Sequence, residues 1–274
     1  MMAVFNSSDG VALHFDDEGA GLPLLCLSGL TRNASDFDYL MPHLPPCRVI
    51  RLDYRGRGRS GWSDPASYTI PREALDVIEL LDHLGLERSA VLGTSRGGLI
   101  AMMLAATAKD RLIGACLNDI GPEIVEAGLD VIKGYVGRKP PFANHAEAAA
   151  ARPALMQGFA NVPQERWWAE VEKLYAETPD GLELTYDPKL RDAVLAAEGQ
   201  PTPDLWPLFD AFAGLPLALV RGANSDLLSV ETATEMRQRR PDMLFAEVPD
   251  RAHIPFLDEP EAVAVIRQFV ELCR

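Results

Sequence analysis

The chain has 274 residues, enough for a sizeable core, and its 47% hydrophobic and 24% charged residues are the balance of an ordinary globular protein. With 40 acidic against 26 basic residues the net charge is −14, which repels phosphate backbones and argues against a nucleic-acid partner. No apolar run reaches the ~18 residues of a membrane span, and the first ten residues lack the basic start of a targeting segment, so a cytoplasmic protein is expected.

Short apolar runs alternate with helical patterns. Strands are expected around Val4-Phe5, Val11–Phe15, Leu22–Leu27, Arg48–Leu52, Ser89–Leu92, Leu112–Leu117, Leu217–Val220 and Met243–Val248. Runs that are apolar on both faces suit a sheet covered by helices on either side. Helices are expected over Glu73–Leu84, Gly98–Lys109, Val230–Arg240 and Glu261–Leu272. The alternation implies crossover units and a mostly parallel sheet, an α/β architecture. Between Pro122 and Leu205 no strand is expected. Helical patches at Ile124–Tyr135, Ala146–Phe159, Gln164–Ala176 and Lys189–Ala197, punctuated by prolines and glycines such as Pro140-Pro141, Pro179, Gly181 and Pro201, read as a helical insertion. The division is then a core over 1–121 and 206–274 with a cap over 122–205. Four scattered cysteines (Cys26, Cys47, Cys116, Cys273) without a C-x-x-C pair read as free buried thiols, and no metal site is expected.

The chemistry is carried by Gly93-Thr94-Ser95-Arg96-Gly97-Gly98, which follows an apolar strand and opens a helix. A serine on so sharp a turn needs glycines around it, and its hydroxyl projects at the positive end of the helix. A serine also needs a base. Only His145 and His253 follow Ser95, and His253 lies just after the last expected strand, on the ligand-binding side of such a sheet. His145 lies early in the insertion, and His14, His43 and His83 read as surface or structural residues. Two acids follow strands. Asp226, in Arg221-Gly222-Ala223-Asn224-Ser225-Asp226, is the expected partner of His253; Asp119, the second candidate, reads as an entry cap for the insertion. Asp250 is expected to point to solvent. Backbone donors for a developing oxyanion are expected at Arg96, after the nucleophile, and at Leu30, in Ser28-Gly29-Leu30-Thr31-Arg32.

These segments, with Asp53-Tyr54-Arg55-Gly56-Arg57-Gly58-Arg59-Ser60, make the chain resemble the α/β-hydrolase fold superfamily, in its capped, single-domain form. The resemblance implies a Ser-His-Asp hydrolase without cofactor, and a structural role for the Asp53–Ser60 turn. Two positions depart from the family pattern: Ser28-Gly29 stands where His-Gly is usual, and Ala252 replaces the glycine before the histidine. A serine nucleophile disfavours dehalogenase and epoxide-hydrolase chemistry, which uses an aspartate there.

The insertion carries Phe142, Phe159, Trp167, Trp168 and Tyr175, with Trp206 at its exit. An apolar lid suggests a small or medium organic ester, thioester or lactone. Phe142, Trp167 and Trp168 are candidate substrate contacts. Arg32, or the Arg96 side chain, is a candidate for a substrate carboxylate, with a structural salt bridge the alternative for Arg96. Two other readings stand beside the esterase: a C–C bond hydrolase of a diketone-type ring-cleavage product, and a weakly catalytic ligand-binding protein. A small-molecule partner is expected, on a monomer or homodimer.

Overall fold

The computed structural model describes residues 2–196 and 203–274. The first part of the chain runs through β1 (Met2–Asn6), β2 (Ala12–Glu18), β3 (Pro23–Leu27), β4 (Arg48–Leu52), α1 (Ile70–His83), β5 (Ser89–Thr94), α2 (Arg96–Thr107) and β6 (Leu112–Asn118). A second stretch holds α3 (Glu126–Tyr135), α4 (His145–Leu155), α5 (Gln164–Leu174), β7 (Tyr175–Thr178), β8 (Gly181–Leu184) and α6 (Leu190–Leu195). The chain ends with α7 (Trp206–Asp210), β9 (Leu217–Gly222), α8 (Val230–Arg239), β10 (Leu244–Val248) and α9 (Pro260–Leu272).

Eight strands form one sheet in the order β1-β2-β4-β3-β5-β6-β9-β10. β2 pairs antiparallel with β1 and β4, and every other pairing is parallel. Alternate residues of each central strand feed opposite faces. Leu25, Leu27, Val91, Ala115, Leu117 and Leu219 pack under α1, α2, α7 and α8. Leu24, Cys26, Leu92, Cys116, Ala218 and Val220 pack against α9. Two covered faces explain why these strands read as unbroken apolar runs. All four cysteines are free and buried, and among the described residues no helix is long and apolar enough to cross a membrane.

The helical cap enters after β6, directly beyond Asp119. It contains a strand pair that the sequence reading did not expect. β7 and β8 pair antiparallel, Tyr175 with Leu184 through Thr178 with Gly181. Pro179 and Gly181, read as loop punctuation, instead make a tight hairpin turn: Gly181 has φ 102°, and Thr178 Oγ1 accepts from Asp180 N and donates to Gly181 O. The first helical patch ends at Tyr135 as its pattern does, and the other three helices end earlier than theirs. α4 stops at Leu155 and α5 at Leu174, where the chain extends into β7. α6 covers Leu190–Leu195 of the patch expected to reach Ala197; Ala197 and Pro201 lie outside the described residues.

Candidate active site

Ser95 sits between β5 and α2 with φ 50° and ψ −112°, a backbone that L-residues seldom adopt. Its N–H donates to Asn118 O on β6 at 2.9 Å, and its carbonyl accepts from Gly98 N at 2.9 Å. The neighbouring glycines are required by space. A Cβ at Gly93 would lie 2.5 Å from Gly97 O, and one at Gly97 would collide with the Leu27 carbonyl of β3. Gly97 N also donates to Ser28 O at 3.2 Å, so α2 begins locked onto the loop after β3.

His253, in the loop after β10, brings Nε2 to 2.9 Å from Ser95 Oγ, and its Nδ1 lies 2.8 Å from Asp119 Oδ2. An ionised carboxylate can only accept, so Nδ1 carries the ring proton and Nε2 is left to accept from the serine hydroxyl. The partner acid is therefore Asp119, which the sequence reading took as an entry cap. Asp119 is fully buried and also accepts from Gly222 N at 2.8 Å and Ser225 Oγ at 2.6 Å. Asp226, expected in that place, is exposed, and among the described residues its carboxylate has no hydrogen-bond partner. The cause is local: after β9 the chain turns with Ser225 inward, leaving Asp226 to face out. The end of β9 and the loop after it thus serve the histidine indirectly, by donating two hydrogen bonds to the acid that follows β6. Asp250, expected in solvent, accepts from Asn161 Nδ2 of the cap at 2.7 Å.

The two expected backbone donors sit on either side of one buried carboxylate. Glu73, on α1, holds Arg57 Nη1 at 2.7 Å with one oxygen and Arg96 Nε at 2.5 Å with the other. Arg57 Nε then donates to Leu30 O at 2.9 Å, and Arg96 Nη2 donates to Tyr68 O at 3.0 Å. Leu30 N makes no backbone hydrogen bond, and Arg96 N, the first of α2, has no acceptor within its helix. Neither N–H has a hydrogen-bond acceptor among the described residues. The Arg96 side chain is a structural tie. Arg32 is also committed: its Nε lies 2.8 Å from both Asp36 oxygens and its Nη2 2.7 Å from Glu170 Oε2 of α5. Glu73 was read only as the start of an expected helix, and nothing in its spacing marks it.

The cap aromatics divide. Trp167 is buried and packs edge-on against Phe159 and Phe256, the latter three residues past His253. Trp168, about 100° further around α5, is 42% exposed and meets His145. Phe142 packs inside the cap against Ala148, Ala149, Val171 and Leu182. Of the three aromatic residues expected to contact substrate, only Trp167 lies beside the histidine loop, where it packs with Phe256 and Phe159.

Residues 24–266 match the model of the Alpha/beta hydrolase family. A 3-hydroxybutyrate-oligomer hydrolase of Cupriavidus necator is 36% identical to this chain, over 90% of it and 87% of the relative. A pimeloyl-[acyl-carrier protein] methyl ester esterase of Pectobacterium atrosepticum is 26% identical, over 92% and 95% of the two chains. An alpha/beta hydrolase of Novosphingobium aromaticivorans, known from its crystal structure, superposes with a TM-score of 0.92 at 37% identity, covering 99% of this chain and 98% of that one.

Two substitutions test the supports of this site. Gly97→Ala should lower stability by roughly 1–3 kcal/mol or more, since the Leu27 carbonyl cannot retreat from its sheet; urea denaturation measures it. Burial pushes the Glu73 carboxyl up, but Arg57 and Arg96 outweigh it and hold the group below its ordinary range. A depressed folded-state pKa stabilises above the ordinary value of about 4.5, and this stabilisation is lost as pH falls through the folded value. Glu73→Gln leaves two arginines short of charge, and should cost about 3–5 kcal/mol at neutral pH. The gap between wild type and variant should narrow in denaturation series taken to acid pH; a constant gap would contradict the ion-pair account.

Proposed function

The chain belongs to the alpha/beta hydrolase family, and on that premise we propose that it is a serine hydrolase of carboxylic esters, with Ser95 as nucleophile, His253 as base and Asp119 as the orienting acid. The observation that carries the reading is the unbroken run of hydrogen bonds from Ser95 Oγ through His253 to Asp119, at 2.9 and 2.8 Å. As Ser95 Oγ attacks a carbonyl carbon, its proton passes to His253 Nε2. Asp119 keeps the ring in the accepting tautomer and stabilises the imidazolium that forms. The carbonyl oxygen, now an anion, receives the N–H groups of Leu30 and Arg96; one such donor is worth ~2.7–4 kcal/mol of barrier. His253 returns its proton to the leaving alkoxide, and water releases the acyl group by the reverse route.

The proposed substrate is a small or medium aliphatic ester. The apolar wall of Trp167, Phe159 and Phe256 beside the histidine loop supports an aliphatic chain. So does the likeness to the Cupriavidus necator hydrolase of 3-hydroxybutyrate oligomers, in which short hydroxyacyl units are joined by ester bonds. Residues 122–205 act as the lid over this site in the proposed scheme.

A fluorophosphonate probe should label the wild type at Ser95 and leave Ser95→Ala unlabelled. Asp119→Asn should lower kcat for a short ester on the order of 10³–10⁴-fold, the cost of misorienting the base. Asp226→Asn should stay within about threefold of wild type, as an exposed substitution does. Equal losses in the two aspartate variants would refute the assignment of the acid.

A further inference from the structure

Every arginine around this site but one is bonded. Arg57 and Arg96 share Glu73. Arg32 binds Asp36 and Glu170, Arg166 binds Asp258, and Arg251 binds Glu259. Arg152, on α4, has no side-chain hydrogen bond or ion pair among the described residues, although its Nε is buried from solvent. Its electrostatic neighbours are Tyr175, Arg32, Glu170 and Tyr135. Glu170 spends Oε2 on Arg32, its buried Oε1 has no hydrogen-bond partner among the described residues, and no ion pair joins it to Arg152.

The surroundings of Arg152 connect to the nucleophile. Arg32 packs its stem on Gly29: a Cβ there would lie 3.3 Å from Arg32 Cγ and 4.0 Å from Ser95 Cβ. Tyr135 precedes Val136, which belongs to the cluster that Leu30 packs against. Tyr135 is 47% exposed, yet burial pushes its hydroxyl above the ordinary range. Arg152 lies one turn after Ala148, which packs with Val171 and Tyr175, and Glu170 beside Val171 bonds Arg32 of the loop that carries Leu30.

We infer that the Arg152 guanidinium seats a carboxylate of the substrate, so that the ester cleaved at Ser95 is an anion. This deepens the esterase reading and rests on it. The planar fork of a guanidinium matches a carboxylate. The charge of an unpaired, partly buried arginine is costly until an anion joins it, so a neutral ester of the same shape forfeits the pairing. An oligoester of short hydroxy acids, with its free terminal carboxylate, has this chemistry.

The test compares the linear dimer of 3-hydroxybutyrate with its terminal carboxamide, on wild type, Arg152→Gln and Arg152→Lys. Wild type should favour the acid at least tenfold in kcat/KM, and added salt should shrink that preference. Arg152→Gln should raise KM for the acid about tenfold or more and leave kcat/KM for the amide within twofold. Arg152→Lys should fall between. Equal turnover of acid and amide by wild type overturns the inference without recourse to any variant, as does an Arg152→Gln loss that is the same for both. Labelling of Ser95 by a fluorophosphonate together with indifference to the carboxylate overturns the role of Arg152 alone. Hydrolysis of neither ester, with no labelling, overturns the esterase reading and this inference with it.

Discussion

Glu73 is a carboxylate with no access to water, held between two arginines that are themselves structural. One arginine grips the carbonyl of Leu30 and the other begins α2. The loop after β3 and the first turn of α2 are remote in sequence, and the proposed oxyanion stabilisation requires their two N–H groups to converge on one point. A single buried anion fixes both through two short charge-assisted bonds, which hold position better than neutral ones. Such a pair adds little to net stability, because desolvation consumes the Coulombic gain. Its value lies in direction, since each guanidinium has one geometry in which its hydrogen bonds are met.

The strain at Ser95 is supported in the same manner. Its conformation costs about 1–3 kcal/mol, and three strands share the load: β5 delivers it, Asn118 of β6 accepts its N–H, and Leu27 of β3 closes on Gly97. Asp119 follows directly on Asn118, so the strand that braces the serine also aims the acid. Gly222, at the end of the adjacent strand β9, and Ser225, in the loop after it, donate two further hydrogen bonds to that carboxylate.

The sheet, its helices and the serine turn were legible because each rests on a local pattern: an apolar run, a helical period, glycines at fixed offsets. His253 was legible by elimination and by its place after the last strand. The acid was not. Asp119 and Asp226 both follow strands that end at the same edge of the sheet, and the choice depends on which side chain the turn rotates inward. Ser225 takes the inward place after β9, and its neighbours Asn224 and Asp226 are exposed, which the polar run Asn224-Ser225-Asp226 could have signalled. Glu73 and Arg152 were illegible for a different reason: the meaning of each lies in partners supplied, or withheld, by segments far away in the chain.

The cap is fastened by the residues that frame the site. Glu170 of α5 reaches Arg32, and Lys173 reaches Ser35 O and Asp38. Arg166 pairs with Asp258 and covers Tyr39 and Phe256. On the other flank, the segment after β8 joins the turn after β4, through Gly58 N to Thr185 O and Asp187 N to Gly56 O. Seating α5 and neutralising Arg32 are one interaction, because Glu170 does both. Arg32, whose stem packs on Gly29 beside Ser95, is therefore spent on holding the cap, while Arg152 of α4 has no side-chain hydrogen bond or ion pair among the described residues. A carboxylate arriving at Arg152 would add to the cap the kind of bond that already holds α5, which makes substrate charge and cap position parts of one electrostatic balance.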